Sequence, residues 1–247
     1  MYGLPYQSAT DAEHSVALAL SLEPSRIAVF GYAHVPWMKK HMALIHEEDL
    51  PKAEEKLEIL KMSIEKLTDA GYEFIGMDHF ARPDDELAVA QREGLLYRNF
   101  QGYSTHADCD LVAMGVTSIG MVGNTYAQNV RTLDDYYARI DAGELPVFRG
   151  IELSRDDELR RDVITQLICN FALNMDQVGR QWGIDFGSYF AAELARLDVM
   201  VRDGLLSIED SMINVLPAGR LLIRNICMVF DRYLGADGQT TRFSKVI

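Results

Sequence analysis

Short apolar runs alternate with amphipathic stretches through the first part of the chain, which predicts strands followed by helices. The clearest helix is predicted over residues 51–70, because Pro51 suits a first turn and Gly71 suits the position just past the end. Its apolar residues repeat at helical spacing and form one stripe, made of Leu57, Leu60, Ile64 and Leu67. Apolar runs at residues 26–30, 72–77 and 111–120 predict buried strands. This order indicates an α/β fold.

Two more helices in this part begin at capping signals. The run Thr10-Asp11-Ala12-Glu13 predicts a capping box that opens a helix ending near Leu22, and Thr132 predicts the cap of a helix that ends near Gly143. The first residues, Tyr2-Gly3-Leu4-Pro5, are typical of a loop that follows a strand. The opening order of strand remnant, loop, helix and strand is therefore half of a βαβ unit.

From about residue 151 the pattern becomes mostly helical, so two domains are predicted, over residues 1–150 and 151–247. Helices are predicted from Ser154, over residues 190–201 and over residues 218–234, with a hairpin between residues 204 and 215. The first of these helices carries an apolar stripe of Leu159, Val163, Leu167 and Phe171. Helices followed by a small hairpin resemble a winged helix, which raises the possibility of DNA binding.

Charge argues against nucleic acid as a partner. The helix over residues 190–201 would be the recognition helix, and it sets Glu193 and Asp198 against the single basic residue Arg196. The whole chain carries a formal net charge of -13. Such a balance disfavours both the phosphate backbone and an anionic membrane surface. A lid or docking role is expected for this part.

The cysteines indicate a reduced, cytoplasmic protein. Cys109, Cys169 and Cys227 lie far apart, so the chain contains no CxxC or CxxxCxxC spacing for a zinc ribbon or an iron–sulfur cluster. They are expected to be buried, unreactive thiols. The chain has no apolar run long enough to span a bilayer, and its first residues lack the pattern of a secretory signal.

Candidate functional residues collect in loops that follow the predicted strands, where α/β folds place their ligands. His34 follows the first strand and is either a ligand contact or a packed, hydrogen-bonded loop residue. Asp78 and His79 follow the second strand and are either acid–base or metal-binding groups or a brace for the loop. The stretch 98–103 joins a guanidinium, an aromatic ring and an amide, and the glycines in and after it allow close backbone approach to a ligand. The alternative for this stretch is an exposed strand end with a turn.

Several short sequence motifs of the chain resemble those of oxygen-independent coproporphyrinogen III oxidase, a radical S-adenosylmethionine enzyme family of haem biosynthesis. The matching motifs are Tyr2-Gly3-Leu4-Pro5, Tyr32-Ala33-His34, residues 74–81, Arg98-Asn99-Phe100-Gln101-Gly102-Tyr103 and residues 219–227, and the similarity extends to residues 243–247. The resemblance implies the carboxyl-terminal part of an incomplete (β/α) radical-SAM barrel, followed by a mostly helical, winged-helix-like domain.

The resemblance also implies a reaction and its cofactors. Members of the family decarboxylate two propionates of coproporphyrinogen III to vinyl groups, giving protoporphyrinogen IX, by means of S-adenosylmethionine and a [4Fe–4S] cluster. Carried over by position, Ala33 and Ile119 would contact S-adenosylmethionine, while Phe100 and Gln101 would lie beside a second molecule of it and the substrate cavity. Further candidates for the substrate pocket are Arg98, which would pair with a propionate, and Tyr103, His34, Asp78 and His79.

The chain departs from the family pattern because the CxxxCxxC motif that holds the cluster is not in it. We therefore expect a truncated enzyme, inactive alone, whose start reflects a shifted gene start, a split gene or an artificial boundary. A possible partner is a separate amino-terminal half. Two alternatives are a tetrapyrrole-binding or partner-binding half-protein without catalysis and a winged-helix nucleic-acid binder.

Overall fold

The computed structural model describes residues 1–234, and within them the chain forms a mixture of helices and strands arranged in two compact units. The first unit comprises Met1–Arg92 together with Tyr233 and Leu234, and the second comprises Glu93–Arg232. The similarity at residues 243–247 lies outside the described residues. No helix among those described is long and apolar enough to cross a membrane.

The first unit packs three helices with a small antiparallel sheet. Its elements are α1 (Ala9–Ser21), β1 (Arg26–Ala28), α2 (Ala53–Asp69), β2 (Glu73–Gly76), β3 (His79–Ala81) and α3 (Glu86–Arg92), with 3-10 turns at Lys40–Leu44 and Glu47–Asp49. The sheet order is β1-β3-β2. Leu67 of α2, Tyr72 and Phe80 meet in the core of this unit. A parallel bridge joins Tyr2 to Gly31, so the first residues do pair beside the chain that follows β1.

Two predictions for this unit were wrong in detail. The N-cap of α1 is Ser8, not Thr10, because the Ser8 and Asp11 side chains cap each other's backbone amides. His79 does not lie in a loop, since it begins β3 and pairs with Ala28. The turn between β2 and β3 is only two residues long, and Met77 in it adopts the left-handed conformation with φ of 54°.

The second unit begins with two antiparallel sheets. A short ladder joins β4 (Tyr97–Arg98) to β5 (Tyr103–Ser104), and a three-stranded sheet has the order β6 (Ile119–Val122), β7 (Thr125–Asn129) and β8 (Val147–Glu152), with α4 (Leu133–Asp141) between β7 and β8. The predicted strand over residues 111–120 was wrong for most of its length. Ile119 and Gly120 begin β6, Leu111 forms an isolated bridge to Met121, and Val112 and Met114 between them are exposed. Gly115 and Thr117 have positive φ, which turns the chain before it can extend into a strand.

The rest of the second unit is helical around a three-stranded sheet. Its elements are α5 (Arg155–Asn170), β9 (Ala172–Asn174), α6 (Met175–Trp182), α7 (Phe186–Tyr189), α8 (Ala191–Arg202), β10 (Leu206–Glu209), β11 (Met212–Val215), α9 (Pro217–Leu221) and α10 (Ile223–Met228). Its last residue, Arg232, begins a 3-10 turn at Arg232–Leu234. The sheet order is β10-β11-β9, so the predicted hairpin is present.

Two expectations about these helices needed correction. Phe171 does not continue the helical stripe of α5 but ends the helix in the left-handed conformation, with φ of 56°. The single helix expected over residues 218–234 is broken at Leu222, whose φ of -107° and ψ of 21° separate α9 from α10. Apolar spacing alone does not reveal this break, because both helices present buried residues.

A network of charged side chains ties α5 to α8 and to the end of the described chain. Arg160 donates to Asp156 at 3.0 Å, to Glu193 of α8 at 2.8 Å and to the Phe230 carbonyl oxygen at 3.0 Å. Asp156 also accepts hydrogen bonds from the Tyr189 hydroxyl and from Arg232, both at 2.7 Å. Burial alone would raise the pKa of Asp156, but these three donors lower it below its ordinary value.

We expect Asp156→Asn to destabilise the chain by about 1–3 kcal/mol at pH 7, because three charged or polar donors lose an ionised acceptor. The folded-state pKa of Asp156 is lowered, so its contribution is present above the unfolded-state value of about 4 and is lost as the pH falls through the folded-state pKa. Urea unfolding followed by circular dichroism at pH 7 and in acid measures this. The matched control is Asp198→Asn on the exposed face of α8. An equal effect at both pH values would contradict the assignment.

Candidate functional site

A groove on one face of the β6-β7-β8 sheet is the strongest candidate site in the second unit. Its volume is about 300 Å³, and the residues that line it are Phe100, Ile119, Tyr126, Ala127, Gln128, Arg149, Gly150 and Ile151. The pairing register sets Ile119 opposite Gln128 and Gln128 opposite Arg149. Residues directly opposite in an antiparallel sheet project to the same face, so these three side chains form one row.

The next row on this face is aromatic and apolar. Met121, Tyr126 and Ile151 stand opposite one another two residues further along their strands. Phe100 packs edge-on against Tyr126, with ring centroids 5.1 Å apart and an angle of 83° between the planes. About half of the Phe100 side chain stays exposed. An aromatic ring in this position offers a surface on which a flat ligand can stack.

Phe100 reaches the groove because it is presented by a tight turn between β4 and β5. The backbone N–H of Asn99 donates to the Gly102 carbonyl oxygen at 3.0 Å, and the backbone N–H of Gln101 donates to the side-chain oxygen of Asn99 at 2.8 Å. The stretch 98–103 therefore forms a strand end with a turn, which is the alternative that the sequence left open for it. Gln101 is exposed in this turn and is not among the residues lining the groove.

Helix α5 contacts the sheet through Arg161, which lies beside Tyr126 and Met121. The Arg161 guanidinium lies 3.5 Å from the Tyr126 hydroxyl and 3.6 Å from the Met121 sulfur, and the Tyr97 hydroxyl donates to the same sulfur at 3.6 Å. Burial, together with the neighbouring Tyr126, raises the pKa of Tyr97. The phenol of Tyr97 therefore stays protonated at neutral pH and acts as a hydrogen-bond donor.

Sequence reasoning missed Tyr126, Gln128, Arg149 and Arg161. The missed signal was the alternation of side chains along residues 119–128, since period-two spacing would have set Tyr126 and Gln128 on one face. Gly120 on the opposite face is required for a different reason. A Cβ there would come within 2.8 Å of the Leu111 carbonyl oxygen. The close approach expected at this glycine is made by the chain's own backbone.

Arg98 and Tyr103, two candidates for the substrate pocket, belong to the strands of the β4-β5 hairpin and are not among the groove-lining residues. They stand opposite each other in the β4-β5 pair, and the Arg98 guanidinium lies 5.5 Å from the centre of the Tyr103 ring. The Tyr103 hydroxyl donates to the Ile168 carbonyl oxygen of α5 at 3.0 Å. The Arg98 Nε is buried without a hydrogen-bond partner.

The other predicted residues, Ala33, His34, Asp78 and His79, belong to the first unit and are described within it. The Asp78 carboxylate lies 2.7 Å from Nδ1 of His79 at the start of β3, and both side chains are mostly buried. Asp78 is therefore engaged with its neighbour's ring. His34 lies 3.4 Å from the Tyr32 hydroxyl through Nδ1, and Ala33 stands between these two rings in sequence.

The thiols do not form a metal site among residues 1–234. No group of three His, Cys, Asp or Glu side chains lies close enough together in that range to hold a metal ion. Burial raises the pKa of the Cys169 thiol to about 12, and burial with the nearby Cys169 raises that of Cys227 to about 12 as well. Cys109 is exposed, contrary to the expectation that all three cysteines are buried. Cys169 and Cys227 are buried while Cys109 is exposed, and the three thiols do not converge on one point, so these residues do not fit a [4Fe–4S] cluster.

Comparison with known proteins agrees with this architecture. Residues 153–222 match the family model described as the HemN C-terminal domain. The chain is similar to a solved structure titled "Coproporphyrinogen III oxidase (HemN) from Escherichia coli is a Radical SAM enzyme", with a TM-score of 0.90 and 50% sequence identity over 94% of this chain and 54% of that one. The fold is therefore that of part of a radical SAM enzyme.

Curated relatives define the family more narrowly. Oxygen-independent coproporphyrinogen III oxidase from Salmonella typhimurium is 51% identical over the whole chain, and that from Escherichia coli K12 is 49% identical; the chain covers 54% of each. The enzyme of the same name from Thermostichus vulcanus is 47% identical, and the chain covers 76% of it. This chain belongs to the oxygen-independent coproporphyrinogen III oxidase family. It spans about half the length of the Salmonella and Escherichia relatives.

Because burial protects two of the three thiols, we expect only Cys109 to react rapidly with a chromogenic disulfide such as Ellman's reagent in the folded chain. Absorbance of the released thiolate would correspond to one thiol before unfolding and to all three in urea. Cys109→Ser should remove the rapid reaction and leave the unfolding midpoint unchanged. Rapid reaction of two or more thiols in the folded chain would contradict the described packing.

Proposed function

We propose that this chain supplies one wall of the cofactor and substrate site of an oxygen-independent coproporphyrinogen III oxidase. The reaction is the oxidative decarboxylation of two propionates of coproporphyrinogen III to vinyl groups, which gives protoporphyrinogen IX. Membership of the family supports this proposal. The main observation behind it is that Phe100 and Ile119, to which the resemblance assigns cofactor contacts, line one groove. A chain that contains about half of its relatives' length acts in this reaction together with the remainder of the enzyme.

S-adenosylmethionine fits the groove as a class of ligand. Phe100 and Tyr126 offer aromatic surface to a purine, and Ile119 offers apolar surface. When bound beside a cluster, this cofactor supplies the one-electron chemistry that removes a hydrogen atom from a propionate. The described thiols do not fit the cluster, so its ligands would come from a separate CxxxCxxC segment. This chain's own residues would bind, orient and shield the ligands.

The finer architecture is part of the proposal. Residues 1–150 would be the last part of an incomplete (β/α) barrel, and the parallel Tyr2–Gly31 bridge followed by β1 and α2 supports this. Residues 151–247 would be a winged-helix-like domain, supported by the family match over residues 153–222 and by the β10-β11-β9 sheet among helices. A cytoplasmic location stays a prediction.

A second candidate function is that of a tetrapyrrole-binding or partner-binding half-protein without catalysis. The observation that favours it is an apolar stripe on α4, where Leu133, Tyr137 and Ile140 are all exposed. These residues repeat at helical spacing and lie on one face. Such a stripe suits docking against another polypeptide, for which an amino-terminal half of the same enzyme is the natural occupant. The same surface serves the main proposal.

Nucleic-acid binding is less favoured than either of these functions. On α8, Glu193 pairs with Arg160 at 2.8 Å, and Arg196 donates to the Val229 carbonyl oxygen at 3.0 Å. The basic group that a recognition helix would present to phosphate is thus used in internal packing. The net charge of -13 adds long-range repulsion.

The test is complementation. We expect this chain, co-expressed with the amino-terminal half of the Salmonella relative and reconstituted without oxygen with iron and sulfide, to convert coproporphyrinogen III to protoporphyrinogen IX when given S-adenosylmethionine and a reductant. Fluorescence of the products after oxidation measures the reaction. The chain alone should give none, because it has no CxxxCxxC motif and its described thiols do not converge on one site.

A matched pair of variants connects the activity to the groove. Phe100 and Phe148 are exposed to 49% and 51%, and only Phe100 lines the groove. Phe100→Ala should lower kcat/KM about 5- to 150-fold, since loss of an aromatic ring that stacks on a base costs on the order of 1–3 kcal/mol, and Phe148→Ala should leave it near the parent value. A loaded, assembled pair without activity would refute the main proposal and leave the second candidate. Turnover by the chain alone would refute both.

A further inference from the structure

We infer that Arg149 holds a carboxylate of the ligand that occupies the groove and that Gln128 positions its guanidinium. This inference rests on the proposed function and specifies which chemical group of the ligand the groove binds. Neither the residues carried over from the family nor the sequence pattern pointed to Arg149. The evidence is its place in the sheet, its hydrogen bond and the absence of a neutralising carboxylate in the part of the chain that the structure describes.

Arg149 is oriented by a chain of two hydrogen bonds. The Gln128 amide nitrogen donates to the Thr117 carbonyl oxygen at 3.1 Å, which turns the Gln128 oxygen towards β8. That oxygen accepts a hydrogen bond from Nε of Arg149 at 2.9 Å. Two long side chains are therefore fixed in one row of the sheet with Ile119. Fixing them before binding reduces the entropy lost when a ligand arrives.

The charge of Arg149 is not neutralised by any carboxylate of residues 1–234, because no salt bridge in that range includes it. Its orienting partner is a neutral amide, and its terminal nitrogens remain available to a ligand. Among residues 1–234, no acidic side chain lines the groove. Glu152, the nearest acidic residue along β8, is one position out of phase with Ile151 and projects to the other face.

Other arginines of the second unit are used differently. Arg160 and Arg232 are bound to carboxylates of α5, and Arg161 lies 3.9 Å from Glu158. Arg98 is stacked on Tyr103, and Arg131 is stacked on Phe148, with 5.0 Å between its guanidinium carbon and the ring centre. Arg149 combines a fixed orientation with an uncompensated charge beside aromatic surface. That combination is what recognition of a carboxylate on a flat apolar body requires.

The size of the groove limits what it holds. A volume of about 300 Å³ is at the lower end of ligand pockets, so the groove accommodates one arm of a large ligand or one small cofactor. Both ligands of the proposed function carry carboxylates, which are the aminoacyl carboxylate of S-adenosylmethionine and the propionates of the tetrapyrrole. The shared chemistry is an arginine–carboxylate pair. The experiment distinguishes the two sources.

Binding to the full 247-residue chain provides the test. Coproporphyrin III, the stable oxidised tetrapyrrole, is titrated by fluorescence, and its tetramethyl ester serves as the probe without carboxylates. S-adenosylmethionine is titrated by calorimetry against its decarboxylated analogue. Arg149→Gln should weaken the carboxylate-bearing member of one pair by about 10- to 100-fold and leave its neutral counterpart unchanged, in line with the usual effect of losing charge-assisted hydrogen bonds. The affected pair identifies the source of the carboxylate.

Three further variants separate orientation from charge and from structural damage. Arg149→Lys keeps the charge without the planar fork and should restore only part of the affinity. Gln128→Ala should weaken binding of the same probe by about 3- to 10-fold, because it removes one hydrogen bond that orients Arg149, with an unchanged urea midpoint. Arg131→Gln, two residues past the end of β7 and outside the groove, should bind the carboxylate-bearing probe and its neutral counterpart as the parent chain does.

The outcomes distinguish failure of the inference from failure of the proposed function. If the parent chain binds a carboxylate probe and Arg149→Gln binds it equally well, the inference is overturned and the proposed function stands. Equal loss for a probe and its neutral counterpart also overturns it, since charge would then play no part. If the parent chain binds none of the carboxylate-bearing probes, the inference fails, and the proposed function is decided separately by the complementation assay. In the complemented enzyme, Arg149→Gln should raise KM with little change in kcat if the carboxylate contact is uniform in strength.

Discussion

The amide side chain of Asn129, buried at the end of β7, donates to the Gly115 carbonyl oxygen at 2.9 Å and lies 3.3 Å from that of Ala113. It therefore anchors the turn that precedes β6. Leu111 and Met121 exchange backbone hydrogen bonds at 2.7 and 2.8 Å on the outer side of the same strand. These contacts hold the register of β6 against β7. A slip by one residue would exchange Ile119 for Gly120 on the groove face and remove the row that ends at Arg149.

Local signals predicted the elements that are decided locally. The capping box at Ser154 and Asp157 begins α5, and Leu159, Val163 and Leu167 of its stripe are buried as the spacing predicts. The strand predicted over residues 111–120 was largely wrong because its conformation is not decided locally. Their apolar composition favours a strand, but positive φ at Gly115 and Thr117 and a long-range bridge to Met121 decide the conformation. The break at Leu222 likewise depends on packing, because a Cβ at Gly219 would collide with the Leu205 carbonyl oxygen.

The candidate site shows the same division between local and long-range information. The roles of Phe100 and Ile119 were predicted from a resemblance, which transfers a role from one position to its equivalent without a physical account of either. The position of Arg149 beside Tyr126 and Gln128 follows only from the pairing of three strands that lie up to 30 residues apart in sequence. Pairing is a long-range property, and a single sequence does not reveal it. His34, Asp78 and His79 remain candidates within their own unit, where Asp78 and His79 are already paired with each other.

The chemical identity of residue 128 explains why Arg149 retains its charge for a ligand. A glutamate at this position would orient the guanidinium equally well, as Asp156 orients Arg160, but it would neutralise the charge and compete with an incoming carboxylate. The side-chain nitrogen of Gln128 donates to Thr117 and its oxygen accepts from Arg149. The neutral amide therefore orients the guanidinium without cancelling its charge. In a chain with a net charge of -13, an uncompensated and oriented arginine beside aromatic surface is the feature that attracts an anionic ligand locally.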